Sequence, residues 1–371
     1  PPTARSVKAV VLVGGEGTRL RPLTFTVPKQ VLPIIEIPMI ERVLTSLADH
    51  GVTEAVLSLG YRHDSFLSLF PDNAACGVSL GLAIEPEPMG TAGAVRFAAR
   101  AAGIDECCLV VNGDVLTDLD LNQLIDFHQA RGAEGTIALG PVDDPANFGQ
   151  VSTDEEGRVV AFIEKPGVGG ASAAPAAQGA LVNAGTYVLE PSAIDRIPEG
   201  RAVSIEREVF PAMAADGTLF ALGSDAYWAD TGTPAQYLQV QFDLLSGRRP
   251  GPPVPGAVCD EGQVWTLGSS VIEGDVGGPA FVGQAAFIEQ GAQVERSVIS
   301  SGGRVHEGAR VSDSVLAPGA VVRRGAVVER SLVGERAVIG EKAILTDLSI
   351  VGIDAEVPPG AVLDNARVPA V

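Results

Sequence analysis

Over the first two-thirds of the chain, short apolar runs alternate with stretches of helical period. Segments 7–13, 55–59, 78–84, 107–111 and 136–139 read as strands. Segments 39–50, 91–102, 121–131 and 234–245 read as helices, the first stopping at Gly51. Strands alternating with helices predict an α/β domain with a mainly parallel sheet covered on both faces. Ligands of such sheets bind at the carboxyl ends of the strands. The loops after Val13, Ile84 and Val111 are therefore the places to look for chemistry.

The pattern changes after a Pro/Gly-rich stretch, 247–256. Beyond it, Ala280-Phe281-Val282-Gly283 is echoed by Ser297-Val298-Ile299-Ser300, Ser314-Val315-Leu316-Ala317 and Ser331-Leu332-Val333-Gly334, a spacing of 17 residues. A second apolar column reads Ile288, Val305, Val321 and Val338, and a third Val294, Val311, Val327 and Ile344, each with one step of 16. Three columns per coil predict a triangular prism of short parallel strands with Gly-rich corners. This resembles the hexapeptide-repeat left-handed parallel β-helix. The expected division is a first domain at 5–246, a linker at 247–256 and the β-helix at 257–371. A second low-complexity stretch, 167–179, reads as a mobile loop beside a site.

Composition narrows the function. With 46 acidic and 26 basic residues among 371, the net charge of −20 argues against a nucleic-acid partner. At 46% hydrophobic and 19% charged residues, the composition is that of an ordered globular protein. Cys76, Cys107, Cys108 and Cys259 lack metal-ligand spacing, and the four histidines are scattered. No long apolar stretch follows a basic start, and the run 7–13 is too short to span a bilayer. We expect no signal peptide, no membrane partner and a cytoplasmic location. Only four lysines occur: Lys8, Lys29, Lys165 and Lys342.

The loop after the first strand reads Gly14-Gly15-Glu16-Gly17-Thr18-Arg19-Leu20. It is neither a dinucleotide fingerprint nor a Walker loop. Glycines at a strand's carboxyl end still let backbone N–H groups approach phosphates closely. Arg19, Arg21 and Lys29 add three cations in a segment stiffened by Pro22, Pro28 and Pro33.

Extended through Arg21-Pro22-Leu23-Thr24 and Pro28-Lys29, this segment resembles the signature of the sugar-1-phosphate nucleotidylyltransferases. The resemblance continues through Glu85-Pro86-Glu87-Pro88-Met89-Gly90-Thr91-Ala92-Gly93, Asn112-Gly113-Asp114, Phe162-Ile163-Glu164-Lys165-Pro166 and Asn183-Ala184-Gly185-Thr186-Tyr187. The blocks Ser204-Ile205-Glu206-Arg207-Glu208-Val209-Phe210-Pro211 and Tyr227-Trp228-Ala229-Asp230-Thr231-Gly232 are most similar to the mannose-1-phosphate guanylyltransferases. The resemblance implies a Rossmann-like nucleotidyltransferase domain followed by a β-helix. Its reaction joins a nucleoside triphosphate to a sugar 1-phosphate and releases pyrophosphate.

The residue roles follow from that resemblance. Arg19 would grip the β- and γ-phosphates and Lys29 the α-phosphate. Gly14, Gly15, Gly17, Thr18, Gly90 and Thr91 would line the nucleotide site. Asp114 and Asp230 would hold Mg²⁺ through hard carboxylate oxygens. Glu164, Lys165, Asn183 and Gly149 would contact the sugar phosphate.

The base can be argued from chemistry. Guanine presents two adjacent donors, N1–H and the N2 amino group, which a carboxylate matches with two acceptors. Glu85, five residues before Gly90 on the loop that the resemblance implies lines the base pocket, is the expected reader, with Glu87 as a rival. The leading expectation is GTP with mannose 1-phosphate. Glucose 1-phosphate with dTTP, UTP or ATP is an alternative pair, and a non-catalytic nucleotide-sugar-binding regulatory homologue is another class. A β-helix that transfers acyl groups with His306 as base is a further alternative. A homo-oligomer, assembled through the β-helix, completes the expectation.

Overall fold

Strand Lys8–Leu12 is apolar at nearly every position and sits at the centre of a sheet, buried on both faces. It pairs in parallel with Glu54–Leu59 on one side and Cys108–Asn112 on the other, and Val78–Ile84 pairs in parallel beyond Glu54–Leu59. Strand Ala180–Leu189 runs antiparallel to Cys108–Asn112 and carries Gly135–Val142 and Leu219–Gly223 further out. The computed structural model describes residues 7–60, 62–142, 149–163 and 180–371.

Helices Met39–Asp49, Gly90–Ala101, Leu121–Arg131 and Pro234–Leu245 form where the 3.6-residue period places them. Local chemistry sets their ends. The Asp120 carboxylate accepts the N–H groups of Asn122 and Gln123, and Gly132 closes the same helix at a left-handed φ of 56°. The Thr233 hydroxyl caps the last of the four. Sequence periodicity did not reveal strand Ala180–Leu189 or the short helix Asp64–Leu69.

By its contacts the chain forms two units. The first comprises Pro1–Gly15 and Ile40–Trp228, and the second Glu16–Met39 and Ala229–Val371. The segment Glu16–Met39 thus shares a unit with helix Pro234–Leu245 and the coils that follow.

Those coils stack three sheets of parallel strands, of eight, six and six members, consistent with a left-handed β-helix. The first pairing of the eight-stranded sheet, Val258–Cys259 with Val264–Thr266, is the one antiparallel step in the stack. Two of the expected columns need correction. The buried residues are Ile288, Val305, Val322 and Ile339 in one and Val294, Val311, Val328 and Leu345 in the other, each 2% exposed or less. The spacing is 17 throughout, while Val321, Val338, Val327 and Ile344 point outward; Ile344 is 38% exposed. Side chains alternate between faces along a strand, so a one-residue slip exchanges inside for outside. Val-Val, Val-Ile and Ile-Leu pairs hid that slip from the hydropathy pattern.

The corners also differ from expectation. Left-handed backbone recurs at Gly291, Gly308, Gly325, Lys342 and Gly360 along one edge. Along another edge the left-handed positions are not glycine: Arg296, Asp313, Arg330, Asp347 and Asn365 take that conformation. Their charges alternate up the stack, with Arg296 and Asp313 2.5 Å apart and Arg330 and Asp347 3.0 Å apart. Among the described residues no helix is long and apolar enough to cross a membrane.

Candidate active site

In the first unit, the loop leaving Lys8–Leu12 lies against a carboxylate. A β-carbon on Gly14 would stand 3.1 Å from Glu85 Oε1, and one on Gly60 would stand 3.0 Å from the Gly14 carbonyl oxygen. The Ser58 hydroxyl donates to Glu85 Oε1 and the Met89 N–H to Oε2, each at 3.1 Å. Each oxygen retains a lone pair for another donor. Gly15, like Gly14, is exposed.

The loop after Glu85 is fixed at its far end. Gly90 has φ of 71°, and a β-carbon there would stand 2.6 Å from the Val203 carbonyl oxygen, so the position demands glycine. The Thr91 hydroxyl donates to Glu206 Oε2 and accepts the Ile205 N–H, both at 2.8 Å. The Ser204 hydroxyl donates to the same Glu206 oxygen. Thr91 therefore spends its hydroxyl hydrogen on the protein. Glu206 is the clasp, and its place in the Ser204–Pro211 block does not by itself reveal that role.

Asp114 lies two residues past the end of strand Cys108–Asn112. Gly113 donates to the Leu12 carbonyl at 2.9 Å, and a β-carbon on it would stand 2.5 Å from Val13 Cγ1. The turn that presents Asp114 is thus pressed onto the central strand. Asn112 packs beneath Gly185, whose φ of 71° belongs to an irregularity in strand Ala180–Leu189 between Asn183 and Tyr187. Within that irregularity, Asn183 donates to the Tyr187 hydroxyl and accepts the Gly185 N–H, each at 3.0 Å. One amide hydrogen and one lone pair of Asn183 remain for a ligand. Buried Gly149 accepts the Asn183 N–H at 3.0 Å.

Trp228 donates from Nε1 to the Ala184 carbonyl at 2.9 Å and packs on Gly140. The Tyr227 carbonyl accepts the Asp118 N–H and the Thr117 hydroxyl. Four residues past Asp114, the chain is therefore pinned to the end of the first unit.

The second unit holds the cations. Gly17, at φ of 63°, opens the 3-10 turn Thr18–Leu20, and a β-carbon on it would stand 3.0 Å from Lys29 Cβ. The Thr24 hydroxyl closes this loop by donating to the Gly17 carbonyl at 2.8 Å. Thr18 and Arg19 are exposed and Lys29 is half-buried. Arg19 Nη2 and Asp230 Oδ1 converge on Gly232, 2.7 and 3.0 Å from where its β-carbon would lie. The Gly232 N–H donates to Asp230 Oδ1 at 2.8 Å and orients that carboxylate. Arg21 is different, pairing with Glu16 at 3.2 Å and lying over the Phe25 ring.

The first unit thus gathers Gly14, Glu85, Gly90 and Thr91 in one cluster and Gly149 with Asn183 in another. The second unit gathers Gly17, Arg19, Lys29 and Asp230. Glu164, Lys165 and the stretch 167–179 lie outside the described residues. Of the other lysines, Lys8 pairs with Glu54 at 3.1 Å and Lys342 occupies a coil corner.

Other titratable groups pair with protein neighbours away from these clusters. Cys107, His128 and Glu190 cluster beyond the opposite end of strand Cys108–Asn112 from Asp114. His128 Nδ1 lies 2.8 Å from the Thr136 hydroxyl and Nε2 3.2 Å from Glu190. Burial pushes the Cys107 thiol up to about 12, and Glu190 adds to the shift, so the sulfur stays protonated. Burial also holds the His128 imidazole below its ordinary value, against the pull of Glu190. In the β-helix, His306 Nδ1 lies 2.9 Å from Glu289, a pairing between neighbouring coils.

Residues 8–247 match the family model described as Nucleotidyl transferase. The chain belongs to this family. Residues 276–370 match a second model, GMPPB C-terminal domain. Over 280 residues the nucleotidyltransferase is 42% identical to mannose-1-phosphate guanylyltransferase of Mycobacterium tuberculosis, covering 73% of this chain and 75% of that one. A probable mannose-1-phosphate guanylyltransferase 1 of Oryza sativa subsp. japonica is 40% identical over 258 residues, 68% of this chain and 69% of that relative. Among solved structures, HddC from Yersinia pseudotuberculosis complexed with GMP-PN is 28% identical with a TM-score of 0.54. That likeness covers 63% of this chain and 98% of HddC.

Proposed function

We propose that this nucleotidyltransferase carries out Mg²⁺-dependent transfer of a guanylyl group from GTP to mannose 1-phosphate, giving GDP-mannose and pyrophosphate. The observation that carries the reading is the Glu85 carboxylate set against Gly14 on the loop after the first strand. It puts two acceptors beside that loop, and guanine's adjacent N1–H and N2 donors match them. The relatives named mannose-1-phosphate guanylyltransferase support the choice of sugar.

The chemistry needs little from the protein in the way of proton transfer. Mannose 1-phosphate is already an anion, so its oxygen attacks the α-phosphorus without a general base. The bond from the α-phosphorus to the bridging oxygen breaks, and pyrophosphate leaves with the electron pair. The difficulty is bringing two polyanions into line and stabilising the charge that develops. Arg19 grips the β- and γ-phosphates in this proposal, and the Lys29 ammonium meets the charge at the α-phosphate. Glu164 accepts from sugar hydroxyls and Lys165 pairs with the sugar's phosphate, with Asn183 and Gly149 beside them.

Asp114 and Asp230 are the residues to hold Mg²⁺, which when bound would draw charge from the phosphate oxygens. Their hard carboxylate oxygens fit that ion. The Gly232 N–H on Asp230 is the kind of support that orients a ligand. The same proposal includes the modular division 5–246, 247–256 and 257–371, a homo-oligomer assembled through the β-helix, and a cytoplasmic setting. Four free cysteines fit that setting.

The base assignment has a direct test. Glu85→Gln replaces an acceptor with a donor that faces guanine's donors. We expect the preference for GTP over dTTP, measured as a ratio of kcat/KM, to fall by about 10- to 100-fold. An unchanged ratio would remove Glu85 from base recognition.

A further inference from the structure

The turn at Ile35–Glu36 is an unfavourable piece of backbone. Pro33–Ile34 and Ile37–Pro38 form a hairpin with Ile34 opposite Ile37, which leaves Ile35 and Glu36 as its two-residue turn. Both have positive φ, 42° and 70°. Such turns favour Asn and Gly. A β-branched residue in this region is an outlier that persists only when its surroundings hold it.

Two groups hold this one. The Ile35 N–H donates to Oε1 of Gln241, a fully buried side chain on helix Pro234–Leu245, at 2.8 Å. Glu36 Oε1 accepts the N–H of Ser301, in a coil of the β-helix, at 2.5 Å. A β-carbon on Gly283, one coil earlier, would stand 2.5 Å from the same Glu36 oxygen. The corner formed by Gly283 and Ser301 is therefore shaped around this carboxylate. Burial raises the Glu36 pKa, and the bond from Ser301 opposes that shift.

The same segment touches the coils again at Gly352, where a β-carbon would stand 3.2 Å from Pro22 Cβ. Near these anchors lies an apolar cavity of about 90 Å³, lined by Leu23, Val27, Val31, Tyr237, Val315 and Leu332 among others. The packing of the segment on the coils is thus incomplete. Arg19 lies three residues before Pro22 and Lys29 seven before Glu36, so both cations lie within the stretch that these contacts bracket.

We propose that Glu36 is a positioning residue for the phosphate-binding segment. Through Ser301 it ties Glu16–Met39, and with it Arg19 and Lys29, to a corner of the β-helix. The β-helix then belongs to the phosphate-handling apparatus instead of being an appendage to it. This inference rests on the reading above that Arg19 and Lys29 grip the triphosphate.

The test compares Glu36→Ala with Glu36→Gln in the full chain, by steady-state kinetics and by hydrogen exchange. Misplacing a catalytic group by about 1 Å costs on the order of 100-fold. Glu36→Ala should accordingly lower kcat by about 10- to 100-fold and leave KM for the sugar 1-phosphate unchanged. Amide exchange in residues 17–32 should quicken while the strands of the first unit keep their protection. Glu36→Gln keeps an acceptor for the Ser301 N–H and should restore both. A Glu36→Ala chain with wild-type kcat, or with unaltered exchange in 17–32, would overturn the proposal. A wild-type chain that does not turn over would instead fell the reading of the site, and the exchange comparison would still decide the anchor.

Discussion

Replacing Lys29 by alanine is expected to lower kcat for pyrophosphate release by about a thousandfold while leaving the fold intact. The attack at the α-phosphorus brings two polyanions together, and Lys29 is the cation assigned to the charge that builds there. Its stem is set by Gly17, whose hypothetical β-carbon would lie 3.0 Å from Lys29 Cβ. Alanine keeps the Cβ contact and loses the ammonium together with the rest of the stem. Lys29→Arg should recover little, because a planar guanidinium does not replace a compact ammonium at a crowded position. Steady-state kinetics beside thermal denaturation would check both variants. Full activity in Lys29→Ala would remove this residue from the chemistry.

The second large effect belongs to the two aspartates. Asp114→Asn and Asp230→Asn should each lower kcat by about 100- to 1,000-fold and raise the Mg²⁺ concentration needed for half-maximal rate. Asparagine at 230 keeps a carbonyl oxygen for the Gly232 N–H, so its local fold should survive. If both residues serve one ion, the double variant should lose little more than the worse single variant, because groups acting as a unit are not additive. A titration of rate against Mg²⁺ for the four chains measures this. Multiplicative losses would mean that the two carboxylates act separately.

Much of this arrangement was legible in the chain. The elements around the first loop followed from apolar period, since strands such as Lys8–Leu12 and helices such as Leu121–Arg131 carry strong local patterns. The candidate-site motifs stood out in the sequence because glycines and carboxylates at strand ends have few structural reasons to cluster there. Gly90 and Gly113 turned out to be demanded by packing as well, against Val203 and Val13, which no sequence pattern announces.

Three things stayed hidden. The role of Glu206 depends on Thr91, 115 residues away, and pairing over that distance leaves no periodicity to read. The inward columns of the β-helix were blurred because adjacent apolar residues point to opposite faces. The grouping of Glu16–Met39 with the coils includes contacts such as Glu36 with Ser301, between residues 265 positions apart. Lys8 and Lys342 have structural places, while Lys29 stands at the glycine loop in a chain that otherwise uses Arg for positive charge.

The central claim is tested most directly by a pyrophosphate-release assay of the full chain that crosses GTP, ATP, UTP and dTTP with mannose, glucose and N-acetylglucosamine 1-phosphates. With Mg²⁺ present, release should be fastest with GTP and mannose 1-phosphate, require both substrates and stop on chelation. No release with any pair, or a clear preference for a pyrimidine nucleotide, would contradict it.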